Sequence, residues 1–400
     1  MPYNILHVIP YMHPSAGGPP VVVQNFIKES NRLGHSSQII STPSYCNGDQ
    51  SNLLRRLEQL APTTFLNFLE IVPVVSRIGA AKINAHVQQA DIVHVHTLWS
   101  PLNVSARYAC LRQDRPYVLM PHGMLDPYSL SVKALKKSTY LQLFERRNIA
   151  CARRMIYTTL EEGRLAALTG LRLPPGELVP LGARASSASR DDLRTQFAAR
   201  FPQAEGKRTL LFLGRIHPKK GLDRILNCLQ FVKRSIPNVL LVVAGDGDAG
   251  YTRHIRELVS GLALDGQVLF AGRLDGELKW ASFAAAELFL LPSRQENFAI
   301  TVAEAMQMAV PVIISDKVNT WPYVKEARAG LVLDERDINA LLPHAIEELL
   351  KDDTTRSEMG VQGSRYARER LTWHTSMQKL LACYNQVLSS VNTDSVCSGS

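Results

Sequence analysis

Residues 291–306 read Leu-Pro-Ser-Arg-Gln-Glu-Asn-Phe-Ala-Ile-Thr-Val-Ala-Glu-Ala-Met and place Glu296 and Glu304 eight positions apart. On one continuous helix the two carboxylates would lie about 12 Å apart along the axis, which is too far for them to serve one small ligand. The apolar run 288–291 instead predicts a strand, and helix-forming residues resume near Ala299. We therefore expect Glu296 on a loop and Glu304 one turn inside the following helix.

The predicted start of this helix would form an anion site. Backbone N–H groups at Asn297, Phe298, Ala299 and Ile300 would form the N-terminus of the helix, and the positive end of the helix dipole favours negative charge such as a phosphate. Glu304 could then accept hydrogen bonds from a ribose diol. The alternative is a capping carboxylate followed by an exposed helical glutamate. The geometry suits a nucleotide-sugar better than a packed core.

The same order of strand, loop and helix recurs along the chain. Predicted strands of the first half are 4–9, 38–41, 92–96, 117–120, 155–158 and 178–180, with a helix over 20–33. Predicted strands of the second half are 209–214, 239–244, 268–271, 288–291 and 312–315. Such alternation predicts an α/β fold with two doubly wound parallel sheets.

Composition fits a soluble globular protein of two or three domains. The chain has 400 residues, 46% of them hydrophobic and 20% charged. No apolar run approaches the roughly 18 residues of a membrane-spanning helix, and residues 4–9 read as a buried strand rather than a secretory signal. The six cysteines are scattered without Cys-x-x-Cys spacing. We therefore expect reduced thiols and a cytoplasmic location.

Short motifs follow one another in a specific order and spacing. They are Gly17-Gly18-Pro19-Pro20, residues 91–96, Pro121-His122-Gly123-Met124-Leu125, Gly214-Arg215-Ile216, Lys219-Lys220-Gly221, the two glutamates and residues 311–316. Together they resemble the retaining glycosyltransferases of the GT-B architecture, family 4, of the bacterial cell-surface polysaccharide type. The resemblance implies two Rossmann-like domains that face a central cleft.

The domain organisation follows from the strand pattern and this resemblance. We expect an N-terminal, acceptor-side domain over residues 1–180 and a linker over 181–207, where the sequence is small and polar. A nucleotide-sugar-binding domain should cover 208–374. The resemblance implies that a helix over 375–392 returns to the first domain, and residues 393–400 read as a disordered tail.

The second domain should bind the donor, because ligands of open α/β sheets lie at the carboxyl ends of strands. A guanidinium and an ammonium there can neutralise a departing diphosphate, and the resemblance gives that role to Arg215 and Lys220. It gives the ribose to Glu304 and a sugar hydroxyl to Glu296. Gly245 would form a tight turn beneath the donor. The alternative for the lysine pair is an ordinary surface turn.

In the first domain, Gly17 and Gly18 would let backbone approach the donor closely. His122 follows a predicted strand, where enzymes of the resembled family often carry a histidine beside the transferred sugar. His94 and His96 point to one face of a strand, and we expect His96 as a possible cleft residue and His94 in the core. A metal site is possible, but no third ligand motif accompanies these two histidines. The resemblance implies no metal and no cofactor besides the nucleotide-sugar.

The chain departs from the resembled pattern at three places. Ala299 and Ala309 stand where glycine is usual, and Leu181-Gly182 replaces a frequent Asn-Gly. A methyl group at position 299 would crowd the phosphate-facing amides, so donor binding should be somewhat weakened.

The net charge of +9 lies entirely in the first half, where residues 1–190 hold 20 Lys and Arg against 11 Asp and Glu. Residues 131–154, called here the basic segment, interleave apolar residues with seven cations. These are Lys133, Lys136, Lys137, Arg146, Arg147, Arg153 and Arg154. Such a segment can lie on an anionic membrane or be a solvated helix face. Residues 53–75 are a second candidate, and the absence of a nucleic-acid motif argues against RNA or DNA.

The leading hypothesis is a retaining, metal-independent glycosyltransferase. It would move a sugar from a nucleotide-diphosphate-sugar to a lipid-linked, lipopolysaccharide or exopolysaccharide acceptor, on the inner face of the cytoplasmic membrane. One alternative is an isomerase of the same architecture, such as a nucleotide-sugar 2-epimerase. Another is an inactive scaffold subunit of a polysaccharide assembly complex.

Overall fold

The computed structural model describes residues 2–46, 49–67 and 77–397. The chain divides into two compact units. The first combines Met1–Leu181 with Trp373–Ser400, and the second is Gly182–Thr372.

The first unit is built on a parallel sheet of seven strands in the order β3-β2-β1-β4-β5-β6-β7. The strands are β1 Asn4–Val8, β2 Ser36–Ser41, β3 Thr63–Phe65, β4 Ile92–His96, β5 Tyr117–Met120, β6 Arg154–Tyr157 and β7 Gly176–Leu178. All five residues of β4 are buried, as expected of a central strand in a sheet covered on both faces.

Helices cover both faces of this sheet. They are α1 Gly18–Arg32, α2 Gln50–Glu58, α3 Arg77–Gln89, α4 Pro101–Arg112, α5 Pro127–Ser131, α6 Ala134–Tyr140, α7 Arg146–Ala150 and α8 Leu160–Ala167. Leu141–Glu145 form a π-helical turn between α6 and α7. The C-terminal helix, Trp373–Cys397, packs against α1.

The second unit has a parallel sheet of six strands in the order β10-β9-β8-β11-β12-β13. The strands are β8 Arg208–Leu213, β9 Val239–Ala244, β10 Val268–Gly272, β11 Leu288–Leu291, β12 Val312–Ser315 and β13 Gly330–Leu333. The helices are α9 Arg190–Arg200, α10 Leu222–Ser235, α11 Ala249–Gly261, α12 Gly276–Ala285, α13 Ile300–Gln307, α14 Trp321–Ala327, α15 Ile338–Lys351 and α16 Asp353–Arg370.

The two ends of the second unit are joined to each other. Ala183 forms a parallel bridge with Thr372. The buried side chain of Gln307 donates to the carbonyl oxygens of Ala183, at 3.1 Å, and Leu371, at 3.0 Å. The chain therefore enters and leaves this unit at neighbouring points.

The predicted pair of doubly wound parallel sheets is confirmed. Strands β3 and β13 are absent from the prediction. The first has only three residues, two of them threonine, and each is half-buried. The second begins at Gly330, whose φ of +155° and close contact with the Val312 backbone exclude a side chain. Strand β3 therefore lacks an apolar run, and the apolar part of β13 is limited to the three residues after Gly330.

Two predicted segments differ from the structure. Helix α9 lies inside the segment expected to be a linker. Its sequence is mostly polar, but Leu193 and Phe197 are buried and anchor it to the second unit. The C-terminal helix, predicted over 375–392, continues through Cys397 and so extends into the segment predicted to be a disordered tail. Residues 398–400 lie outside the described part of the chain.

Cysteine pairing and membrane spans can be assessed in the described residues. Five of the six cysteines, at positions 46, 110, 151, 228 and 383, are free thiols. Over the same ranges, every helix is too short or too polar to traverse a bilayer.

Candidate functional site

Two glycine loops lie side by side at the carboxyl ends of β8 and β9. The backbone N–H of Ile216 donates to the backbone carbonyl of Asp246 at 2.7 Å. A Cβ atom on Gly245 would overlap the carbonyl oxygen of Gly214, and one on Gly247 would overlap that of Ile216. The loop 245–247, predicted as a tight turn, is thus held against the loop that carries Arg215.

Lys220 ends a short 3-10 turn, Pro218–Lys220, that follows the Arg215 loop. Gly221 closes the turn with a φ of +74°, and a Cβ atom there would overlap the Pro292 carbonyl. The Lys220 ammonium forms an ion pair with the Glu296 carboxylate, and each side chain is only 14% exposed. These two residues, predicted to bind different parts of a donor, therefore contact each other.

Glu296 lies on the loop after β11, as predicted. Its backbone N–H donates to the Lys317 carbonyl at 2.9 Å, and its own carbonyl accepts from the Asn319 N–H at 3.0 Å. These bonds fix the Glu296 loop to the loop that follows β12. Burial raises the pKa of Glu296, but the charges of Lys220, Lys219 and Arg215 outweigh it and leave the pKa below its usual value. Three cations therefore act on one carboxylate.

His217 is a neighbour of this cluster that the sequence analysis does not single out. Its Nδ1 accepts from the Lys219 backbone at 3.2 Å and caps the turn. Burial and then the charges of Arg215, Lys219 and Lys220 lower the pKa of His217. The excess of positive charge thus extends to the residue between the two predicted phosphate-binding cations.

Helix α13 starts at Ile300, one residue after the predicted position. Ala299 precedes it with φ +52° and ψ +69°, and its side chain offers no cap to the first N–H groups. Phe298 is buried and contacts the Tyr323 ring, with centroids 6.3 Å apart. The start of α13 therefore has no side-chain cap from residue 299, and alanine there occupies a left-handed conformation that favours glycine.

Glu304 lies one turn inside α13 and is 6% exposed. Its Oε1 accepts from Lys279 Nζ at 2.5 Å, whereas its buried Oε2 has no hydrogen-bond partner. Burial raises the pKa of Glu304 above its ordinary value, and Lys279 opposes this shift only in part. Lys279 lies 25 positions earlier on α12, and no local motif marks it.

The predicted residues of the first unit lie in two different segments, one between β1 and α1 and one directly after β5. Gly17, with a φ of +101°, precedes α1, and a Cβ atom on Gly17 or Gly18 would meet open space. His122 follows β5 in a left-handed conformation with a φ of +53°. The Glu162 carboxylate accepts from the Gly123 backbone at 2.6 Å and fixes this turn. Strained backbone at a strand end is typical of functional positions.

Behind His122 lies a buried cluster of histidines. His96, expected as a possible cleft residue, is fully buried, which corrects that expectation; His94 is also buried, as expected. His7 joins them because β1 pairs with β4 and places His7 opposite His94. This third histidine was missed, and the nitrogens of the three rings lie within 4.8 Å of one another, close enough to hold a metal ion.

The basic segment carries exposed apolar residues together with its cations. Leu135 is 83% exposed and Leu143 is 62% exposed, while Lys133 and Lys136 are exposed beside them. The second candidate, residues 53–75, differs: Leu53 and Leu57 of α2 are buried in their own unit, and residues 68–76 lie outside the described residues.

Two family models match the regions that hold these residues. The glycosyl transferase 4-like domain matches residues 17–182, and the glycosyl transferases group 1 domain matches residues 194–366. This chain belongs to the family 4 glycosyltransferases.

Several relatives are similar to this glycosyltransferase. A GDP-mannose-dependent phosphatidylinositol monomannoside mannosyltransferase of Mycobacterium tuberculosis is 29% identical over 216 residues, 52% of this chain and 54% of the relative. A D-inositol 3-phosphate glycosyltransferase of Nocardia farcinica is 27% identical over 309 residues, 74% of this chain and 67% of the relative. The chain spans about half the length of the first curated relatives it matches.

Solved structures support the fold of this glycosyltransferase. The Anabaena protein HepE, in complex with UDP and glucose, matches with a TM-score of 0.75 and 18% identity. The match covers 96% of this chain and 100% of the Anabaena chain. At this identity the likeness establishes the GT-B fold alone.

Proposed function

We propose that this glycosyltransferase moves a sugar from a nucleotide-diphosphate-sugar to an acceptor hydroxyl, with retention of anomeric configuration and without a metal ion. The observation that carries the proposal is the excess of cations at the carboxyl end of β8. Arg215, Lys219 and Lys220 together hold down the pKa of Glu296 despite its burial. Such a site favours a diphosphate group, whose negative charge grows as it leaves.

The reaction would proceed on one face of the sugar. The bond between the anomeric carbon and the diphosphate oxygen breaks, and a bond to the acceptor oxygen forms. The departing phosphate oxygen takes the proton of the acceptor hydroxyl. Arg215, Lys220 and the N–H groups at the start of α13 stabilise the diphosphate, and Gly245 and Gly214 bring backbone close beneath it.

Glu304 would bind the ribose and Glu296 a sugar hydroxyl. The Oε2 atom of Glu304 is buried without a partner, which is costly unless a ligand hydroxyl donates to it. Glu296 can exchange part of its contact with Lys220 for a hydroxyl when the lysine turns to the phosphate. His122, at the end of β5, would lie beside the transferred sugar, as the resemblance implies. Gly17 and Gly18 would allow the protein backbone to approach the donor closely.

The acceptor is proposed to be lipid-linked, or a lipopolysaccharide or exopolysaccharide precursor at the inner face of the cytoplasmic membrane. Exposed leucines beside cations, as at Leu135 and Lys136, suit an interface with anionic lipid. A relative is named for a phosphatidylinositol monomannoside substrate, which is itself an anionic lipid.

The experiment is a thermal-shift screen of the full chain with nucleotide-sugars, including GDP-mannose and UDP-glucose, followed by nuclear magnetic resonance of the reaction. A true donor at 100 times its dissociation constant should stabilise the protein by about 2.7 kcal/mol. The product should keep the anomeric configuration of the donor. Conversion of the donor without an acceptor would favour an epimerase, and donor binding without turnover would favour a scaffold.

A further inference from the structure

Three histidines of the first unit form a continuous hydrogen-bonded chain that ends at His122. His7 Nδ1 lies 3.0 Å from His96 Nε2, and His96 Nδ1 lies 3.1 Å from His122 Nε2. His7 and His96 are fully buried, whereas His122 is partly exposed. This chain of hydrogen-bonded histidines therefore leads from the centre of the sheet to the turn after β5.

Burial favours the neutral form of each ring in this hydrogen-bonded chain. Burial lowers the pKa of all three rings, to about 3 for His7 and His122, and the neighbouring rings of His94, His7 and His122 add to the lowering at His96. A neutral imidazole carries one N–H donor and one bare acceptor nitrogen. Because His96 bonds through both nitrogens, it must donate at one end and accept at the other.

Only two arrangements of protons satisfy both hydrogen bonds. In the first, His7 donates to His96, His96 donates to His122, and the His122 proton lies on Nδ1. In the second, all donors are reversed and His122 presents a bare Nδ1. The two arrangements therefore differ in whether His122 offers a donor or an acceptor to a substrate.

The far end of the chain distinguishes them. His7 Nε2 is buried without a hydrogen-bond partner. The first arrangement leaves a bare lone pair there, whereas the second leaves an N–H group. Buried N–H groups are left unpaired more rarely than buried acceptor atoms. The first arrangement is therefore favoured.

We infer that His7 and His96 are positioning residues that hold His122 as an Nδ1–H donor toward an oxygen of the substrate. The effect on transfer rests on the proposed function, whereas the proton arrangement does not. Here His122 stabilises an oxygen through a hydrogen bond and does not abstract a proton at Nδ1. The left-handed turn at His122, fixed through Gly123 and Glu162, holds the ring for this task.

His94 provides a matched control. It is equally buried, and its ring stacks on that of His96 with centroids 4.0 Å apart. However, its Nδ1 bonds to the hydroxyl of Tyr384 at 2.6 Å, so it lies outside the proton chain. Replacing it changes the packing of the cluster without removing either link.

The first experiment records imidazole nitrogen resonances of the full chain labelled with ¹⁵N-histidine. We expect the wild-type His122 to carry its proton on Nδ1. His96→Leu and His7→Leu should each give a mixture of the two His122 forms, because the arrangement is no longer imposed, whereas His94→Leu should leave His122 unchanged. Circular dichroism confirms that each variant is folded, and His96→Asn, which retains an amide donor near the Nδ1 position, supplies a milder variant.

The second experiment measures sugar transfer by the same variants. His96→Leu should lower kcat roughly 10- to 100-fold with little change in donor KM, because the oriented donor acts chiefly in the transition state. His96→Asn should recover much of kcat, and His94→Leu should stay near wild type. A protein that shows the expected resonances but no transfer would refute the proposed function and leave the proton arrangement intact.

Three outcomes would overturn the inference. One is a wild-type His122 with a bare Nδ1. Another is an unchanged His122 resonance in folded His96→Leu and His7→Leu. The third is stoichiometric zinc in the purified protein that His94→Leu abolishes, because His7, His94 and His96 would then be metal ligands.

Discussion

Lys220 donates to the carboxylate of Glu296, so the cation expected to meet a phosphate is held by the anion expected to meet a sugar. The two residues are 76 positions apart and come together because the turn before α10 packs on the loop after β11. Lys220 helps to keep Glu296 ionised in a largely buried place. The pair therefore has a structural role as well as the proposed functional one.

A double-mutant cycle separates these roles. Breaking a buried ion pair by removing one partner commonly costs about 3–5 kcal/mol, so Lys220→Met should lower the free energy of unfolding by about 2 kcal/mol, given the residual exposure of the pair. Lys220→Met with Glu296→Gln should recover part of this loss, because no charge is left unpaired. Transfer activity should stay low in the double variant. The measurements are denaturant unfolding and initial rates.

Lys351→Met is the control for this cycle. Its ion pair with Glu347 lies at the surface, with the lysine side chain 60% exposed, and should contribute less than about 1 kcal/mol. Recovery of both stability and activity in the double variant would show that Lys220 is structural alone.

The donor KM should depend on pH through Glu304. Burial raises the pKa of this carboxyl, so it becomes protonated at a higher pH than an ordinary glutamate. Protonation removes part of its capacity to accept from a ribose diol, and the donor KM should therefore rise as pH falls. Glu304→Gln should have a high donor KM that no longer varies in this way. A wild-type donor KM independent of pH would contradict the ribose role.

Lys279 should set the pH at which this change occurs. Its ammonium opposes the effect of burial on the pKa of Glu304. Lys279→Met should raise that pKa further, so the increase in donor KM should begin at a higher pH than in wild type. Lys325→Met, an exposed lysine stacked on Trp321, is the control and should leave the profile in place.

Ala299→Gly should both stabilise the protein and tighten donor binding. A left-handed alanine costs roughly 1–2 kcal/mol relative to a relaxed backbone, and part of this would be recovered as about 0.5–1 kcal/mol of unfolding free energy. Loss of the methyl group also opens the start of α13, so the donor KM should fall. Ala263→Gly, at a φ of +50° after α11, should stabilise similarly without changing donor KM. Equal effects of both variants on donor KM would exclude crowding at the helix start.

The basic segment should bind anionic lipid. Co-sedimentation with phosphatidylglycerol vesicles should weaken with added salt and with Lys133→Glu plus Lys136→Glu, because each cation near the surface contributes about 1 kcal/mol. Binding to neutral phosphatidylcholine vesicles should be weak throughout. Arg365→Glu plus Arg368→Glu, which reverses two exposed charges on α16, is the control. Equal loss in both variants would indicate a general charge effect.

The sequence predicts what depends on local pattern. Apolar runs such as Tyr117–Met120 and Val312–Ser315 are strands with the bounds expected from the sequence. The change from strand to loop to helix around Glu296 is also local, and it places the helix start within one residue of Ile300.

Pairings across the fold are beyond such a prediction. His7 meets His94 only through the register of two parallel strands, 87 positions apart in sequence. Lys279 contacts Glu304 from a neighbouring helix. From the sequence alone, any other lysine or arginine of this unit would be an equally good candidate for that contact. The sequence therefore indicates which residues carry chemistry, but not which of them share a proton or a charge.

The bridge between Ala183 and Thr372 has an evolutionary consequence. A segment whose two ends adjoin can be replaced as a block, because the host chain needs only two short junctions to receive it. If the second unit binds the donor, as proposed, recombination at these junctions would exchange the donor-binding part in one step. Chimeras that exchange residues 182–372 between relatives would show whether donor specificity resides in this segment.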